Sequence, residues 1–155
     1  MYYRIRLKGK SNVLDIYTVA FFGHRYITEN IEERLRYTII EQIKFNGVDT
    51  FYVGTHGEFD RIVRKILKDI AADYTHIKYY VVLSAVPTRG IEYKNSIVPD
   101  GIENVPPRAG IVYRNEWMIK KSDFIITYIN RTAASEAARF AELAKKLNKT
   151  VVSIV

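Results

Sequence analysis

Ile16-Tyr17-Thr18-Val19-Ala20-Phe21-Phe22-Gly23-His24-Arg25 is a nearly continuous apolar and β-branched run that stops on a glycine and turns at once to a histidine and an arginine. A strand with one wet face alternates apolar and polar residues; this one does not, which is the pattern of a parallel strand covered on both faces. Four further runs of the same kind follow: Thr50 to Val53 ending at Gly54, Ile77 to Val86, Phe124 to Ile129, and Thr150 to Val155.

The segments between these runs repeat at helical spacing. Ile31, Leu35, Ile39 and Ile43 recur every four residues, with Asn30 and Glu33 placed as a capping box and Gly47 as a C-terminal stop. Phe59, Ile62, Val63, Ile66, Leu67 and Ile70 form one stripe, while Arg61, Arg64, Lys65, Lys68 and Asp69 are read as facing outward. A last helix is built on Ala133, Ala137, Phe140, Ala141, Ala144 and Leu147, whose small members let a helix approach a sheet closely. Strands alternating with such helices predict an α/β fold: one Rossmann-like three-layer domain over residues 1–155, with a mostly parallel five-stranded sheet in the probable order 3-2-1-4-5.

Two stretches depart from this rhythm. All four prolines lie between Pro87 and Pro107, so residues 86–110 read as a long irregular loop before a short helix around Tyr113 to Lys121, in which Trp117 and Met118 are expected to pack as core. In residues 1–15, Tyr3, Ile5 and Leu7 alternate with Arg4, Arg6 and Lys8, the pattern of a basic N-terminal edge strand or arm.

In an open doubly wound sheet, ligands bind beyond the carboxyl ends of the strands, where the strand order reverses. There the sequence puts Gly23, His24 and Arg25 after the first strand, and Gly54, Thr55, His56, Gly57, Glu58, Phe59 and Asp60 after the second. Asn130, Arg131, Thr132 and Ser135 follow the fourth. The residue types suit an anion: Arg25 and Arg131 offer planar forks across the crevice, and the last helix offers free N–H groups with the Thr132 and Ser135 hydroxyls. Gly23 and Gly54 serve either close approach to a ligand or simple turns. Asp60 either caps the second helix or points into the crevice as a base or ribose-hydroxyl acceptor. Glu136, near the start of the last helix, is either favoured there by the helix dipole or catalytic. Arg114 and Asn115 open the short helix and can reach the same crevice, with Arg89 and Arg108 on the long loop as candidates for a lid. No HxxxH or HxH spacing joins His24, His56 and Asp60, so no metal is expected, and His76 is read as a surface histidine.

Composition sets the outer bounds. A chain of 155 residues buries roughly 68–70% of its unfolded surface, enough for a sizeable core. It has no cysteine, which removes disulfides, thiolate metal sites and cysteine nucleophiles. The N-terminus does not read as a secretory signal and no apolar run approaches the 18–20 residues of a membrane span, so a cytoplasmic protein without a membrane partner or cofactor is expected. The net charge of +7 divides into +3 over residues 1–15 (four basic, one acidic), zero over 16–110, and +4 over 111–155 (eight basic, four acidic). It calls for an anionic partner, and its distribution favours a small phosphorylated one.

Together these landmarks resemble the SLOG superfamily, Rossmann-like domains that include the DNA-processing protein A fold and the LOG cytokinin-activating phosphoribohydrolases. The matching pieces are Gly23-His24-Arg25, Gly54-Thr55-His56-Gly57-Glu58-Phe59-Asp60, and Arg114-Asn115-x-x-Met118 leading to Ser122-Asp123. The resemblance implies a nucleotide or nucleotide-derived ligand at the crevice, bound by a sensor or by an enzyme that cleaves an N-glycosidic bond. In the phosphoribohydrolases an Arg-Lys pair precedes the fourth strand and Pro-Gly-Gly-x-Gly-Thr-x-x-Glu follows it. Here Asn115 replaces the lysine, the stretch from Ile129 to Ala137 lacks the glycines, and an ungapped match puts Ala137 rather than Glu136 at the carboxylate. Phosphate binding by Arg131 and the helix N-terminus is retained, and Asp60 or Glu136 is left as the acid/base or oxocarbenium-stabilising group.

The alternative class is a single-strand nucleic-acid-binding module, suggested by a pI of about 9.5 and 12 tyrosines. Such a module combines a basic groove with exposed aromatics, and Tyr2, Tyr3, Arg4, Arg6, Lys8 and Lys10 form the one local cluster of that kind. A homo-oligomer using the N-terminal strand or the outer helices is compatible with either reading.

Overall fold

The computed structural model describes residues 16–90, 93–130 and 135–155. Its elements are β1 (Tyr17–Gly23), α1 (Glu32–Asn46), β2 (Val48–Val53), α2 (Gly57–Asp73), β3 (Lys78–Val82), β4 (Ser96–Ile97), α3 (Gly110–Lys121), β5 (Phe124–Tyr128), α4 (Glu136–Lys146) and β6 (Thr150–Ser153). The sheet is six-stranded in the order β4-β3-β2-β1-β5-β6, with every neighbouring pair parallel.

The unbroken apolar character of β1 follows from its central place. Side chains alternate across a strand, so Tyr17, Val19 and Phe21 enter one core with Leu35, Ile39 and Ile43 of α1 and the α2 stripe. Ala20 and Phe22 enter a second core with Met118 and Ile119 of α3 and Ala137, Phe140 and Ala144 of α4. Two helices therefore cover each face, giving the three-layer Rossmann-like architecture that the alternating pattern predicts. Within α2, Ile66 and Leu67 are fully buried. Truncating Leu67 to alanine would cost about 2–5 kcal/mol through lost transfer energy and the cavity left behind.

The five expected strands lie in the expected order, and the sheet differs by one short addition. β4 falls inside the supposed irregular loop and pairs with the edge of β3, where Leu83 N–H donates to the Ile97 carbonyl and Asn95 Nδ2 donates to the Tyr79 carbonyl at 2.6 Å. Two residues in a proline-bearing stretch carry too little periodicity to be read as a strand. The rest of that stretch is also more regular than expected, with 3-10 turns at Ile102–Asn104 and Pro107–Ala109 leading into α3. α3 starts at Gly110, earlier than expected, and a side chain at that position would collide with the Ser84 carbonyl just beyond β3. β3 in turn stops at Val82, and Ala85 and Val86 are exposed. At α1, Asn30 Oδ1 accepts the Glu32 N–H at 3.1 Å. Met118 is buried and Trp117 half-buried, as expected, and His76 is exposed. The basic strand or arm of residues 1–15 lies outside the described residues. Among those described, no helix is long and apolar enough to cross a membrane.

Candidate functional site

The strand order reverses at β1, which lies between β2 and β5. Beyond the carboxyl ends of these strands opens a cleft of about 610 Å³, within the range of small-molecule sites. Its lining includes the polar residues His24, Arg25, His56, Asp60, Arg114 and Glu136 and the apolar residues Phe22, Ile111, Met118 and Phe140.

Close packing explains the glycines at the strand ends. Neither Gly23 nor Gly54 has a positive φ. A Cβ at Gly23 would run into the Phe59 ring, and one at Gly54 would lie 2.6 Å from Asp60 Oδ2 and 3.1 Å from Arg114 Cζ. Gly54 thus leaves room for a carboxyl and a guanidinium beneath the end of β2. Gly57 has φ +89°, where an L side chain is strained, and a Cβ there would sit 2.6 Å from Arg25 Cα. The close approach allows Glu58 N–H to donate to the Arg25 carbonyl at 2.8 Å and Phe59 N–H to the His24 carbonyl at 3.4 Å. The α2 N-terminus therefore spends these donors on the β1 loop.

Arg114 is 2% exposed. Its Nε donates to Asn115 Oδ1 at 3.0 Å, and its Nη1 reaches Thr55 Oγ1 at 3.2 Å, the Val82 carbonyl at 3.4 Å and His56 Nδ1 at 3.4 Å. Asn115 thus acts by holding the guanidinium. A buried guanidinium needs a nearby anion, and Asp60, itself buried, supplies it. Asp60 Oδ2 accepts the His56 backbone N–H at 3.0 Å, which braces the start of α2, and the residue also lines the cleft. Burial pushes its carboxyl up to about 6 against the pull of Arg114, the His56 N–H, Arg64 and Arg25. Burial also lowers Arg114, with Asp60 opposing.

His56 is held below the ordinary imidazole range, first by burial and then by Arg114, Arg25 and Arg64. Its Nδ1 lies 3.1 Å from Thr55 Oγ1 and 3.4 Å from Arg114 Nη1. His24 has a structural task. Its Nε2 accepts the Asn130 N–H at 2.6 Å and its ring meets Tyr128 edge-on, tying the ends of β1 and β5 together.

At the mouth, Arg25 Nη2 lies 3.5 Å from Glu136 Oε2, with side chains 53% and 55% exposed. Glu136 thus neutralises the arginine proposed for phosphate. Ser135 caps α4, its Oγ accepting the Ala138 N–H at 3.2 Å. Arg131 and Thr132 lie outside the described residues.

Sequence reasoning missed Arg64, read as facing outward. It lies one turn beyond Asp60 on α2, and its Nη1 donates to the Gly54 carbonyl at 2.9 Å while its guanidinium stands 5.3 Å from the Tyr93 ring centre. The i, i+4 spacing from Asp60 was the available signal. The apolar wall was also missed, because Met118 and Phe140 read as ordinary core. Among the described residues, no group of three or more His, Asp or Glu side chains could hold a metal ion. Compared with known proteins, the chain matches no protein-family model and shows no significant similarity to a curated sequence.

Proposed function

We propose that the protein binds a nucleotide or nucleotide-derived phosphorylated molecule at the carboxyl ends of β1, β2 and β5, as a sensor or as an N-glycosidic hydrolase of SLOG type. The observation that carries this reading is one cleft that brings guanidinium and apolar side chains together. Arg25 and buried Arg114 line it, with Arg64 bonded to the Gly54 carbonyl, and so do Phe22, Met118 and Phe140. A phosphorylated nucleoside carries both chemistries, a flat, weakly polar base and an anionic group that guanidinium forks recognise. The proposed phosphate end is the mouth, where Arg25 meets the α4 N-terminus; the sequence argument adds Arg131 and Thr132 as ligands.

The hydrolase version has a suitable group in Asp60, whose carboxyl titrates near 6 within the cleft and is poised for proton transfer or for stabilising an oxocarbenium ion. Glu136 is the weaker candidate because Arg25 engages it at the exposed mouth. A thermal-shift screen of nucleoside mono- and diphosphates tests binding. Stabilisation of the wild type, lost in Arg25→Ala and Arg131→Ala, is the expected result; no stabilisation by any of them counts against the proposal. Release of free base on incubation separates hydrolase from sensor.

For nucleic-acid binding, the described tyrosines offer little: Tyr17 and Tyr128 are buried, and the strongly exposed ones are Tyr26 and Tyr37. Tyr26 lies on the loop after β1, at the cleft, and Tyr37 on α1 beside the C-terminal residues. These two do not form a stacking track.

A further inference from the structure

Asp60 is a buried carboxyl set among guanidinium groups and ion-paired to none of them. It is 8% exposed, its Oδ2 accepts the His56 N–H at 3.0 Å, and among the described residues no salt bridge reaches it. Arg114 gives its hydrogen bonds to Asn115 Oδ1, Thr55 Oγ1 and the Val82 carbonyl, all neutral acceptors. Arg64 gives one to the Gly54 carbonyl at 2.9 Å, and a Cβ on Gly54 would stand 2.6 Å from Asp60 Oδ2 and 3.1 Å from Arg114 Nη1. Arg25 and His24 line the same cleft from the loop after β1, His56 from the turn before α2, and Glu136 from α4. One carboxyl is thus surrounded by arginines from three elements without touching any of them.

A buried carboxylate without an ion pair depends on the field of nearby cations to stay ionised. Here that field is the one an entering anion would meet, since Arg25 and Arg114 line the cleft. An anion held by them cancels the attraction that keeps the proton off Asp60 and adds its own repulsion across a medium that screens poorly. We propose that anion binding in this cleft is coupled to the uptake of one proton from solvent by Asp60, so that the site tightens as the medium becomes more acidic. The coupling is reciprocal: a protonated Asp60 leaves Arg114 and Arg64 unopposed, which strengthens their hold on an anion. Burial already holds this carboxyl at about 6 in the free protein, so a modest added repulsion moves it across neutral pH. His56 stands in the same field and shifts in the same sense, while Glu136 is engaged by Arg25 at the exposed mouth. The inference rests on the proposed reading of the cleft as an anion site and adds its regulation, a response to acidity.

Sulfate is the probe that tests this, because a phosphate monoester itself titrates near pH 6 and sulfate does not. Calorimetric titration of the whole chain should show sulfate binding about tenfold tighter at pH 5 than at pH 8, the ratio that follows when the bound anion makes Asp60 tenfold easier to protonate. Asp60→Asn should lose most of that ratio. In the wild type near pH 6.5, the carbon-13 resonance of the Asp60 carboxyl should move toward its protonated position as sulfate is added. That readout needs no variant to fold and separates Asp60 from His56. Sulfate binding that ignores pH, a pH dependence that Asp60→Asn keeps in full, or a carboxyl resonance that stays in place overturns the coupling and leaves the anion-site reading standing. No sulfate binding at any pH overturns the coupling and counts against that reading as well.

Discussion

Replacing Asp60 by asparagine removes a titration that burial has displaced from 3.8 to about 6. A carboxyl raised in the folded state contributes stability that is fully present below its unfolded pKa and is lost as the pH climbs through the folded one. The displacement corresponds to about 3 kcal/mol, of which about 2 kcal/mol is lost between pH 4 and pH 7. Asparagine keeps an oxygen for the His56 N–H but does not titrate. The attraction of Arg114 acts only on the ionised carboxyl and is already contained in the displaced titration. Glu29 and Glu58, lowered by Tyr128 and Arg61 respectively, act in the opposite sense in both proteins and cancel in the difference. Urea unfolding followed by circular dichroism at pH 4, 5, 6 and 7 should therefore show the variant gaining on the wild type by about 2 kcal/mol as the pH rises, most of it below pH 6. A flat difference would refute the reasoning by showing that Arg114 offsets the burial of Asp60 in full. A difference of opposite slope would show that the arginine dominates.

Glu136→Gln frees Arg25 from a half-exposed ion pair; it should change stability by less than about 1 kcal/mol and tighten binding of a nucleoside monophosphate a few-fold, read by calorimetry. Gly57→Ala puts a methyl group at φ +89° against the Arg25 backbone and should lower stability by about 2 kcal/mol or more in a denaturant melt. Ser135→Ala removes the α4 cap and should cost about 1 kcal/mol by the same measurement.

The order of the main strands was legible because burial on both faces leaves a mark in every residue of a strand: Val19 and Phe21 face one core, Ala20 and Phe22 the other. β4 left no such mark. Two residues of an edge strand bury little, and their pairing depends on backbone groups and on Asn95. Residues at strand ends were legible as cleft-lining candidates because glycine beside histidine and arginine is unusual for a plain turn. Their division of labour was not. The electrostatic coupling of Asp60 to Arg114 joins residues 54 positions apart through the packing of α2 and α3, which no local pattern encodes. The same holds for Arg25 and Glu136, which meet because β1 and β5 are neighbours.

The claim that the cleft at the β1–β5 reversal is the ligand site is tested most directly by amide chemical-shift mapping of the whole chain during titration with adenosine 5′-monophosphate and its guanosine and uridine counterparts. Saturable shifts concentrated at Gly23 to Arg25, Gly54 to Asp60, Arg114 to Asn115 and Asn130 to Ala137 are the predicted result. Saturable shifts confined to other surfaces, or none with any of the three at millimolar concentration, would contradict it.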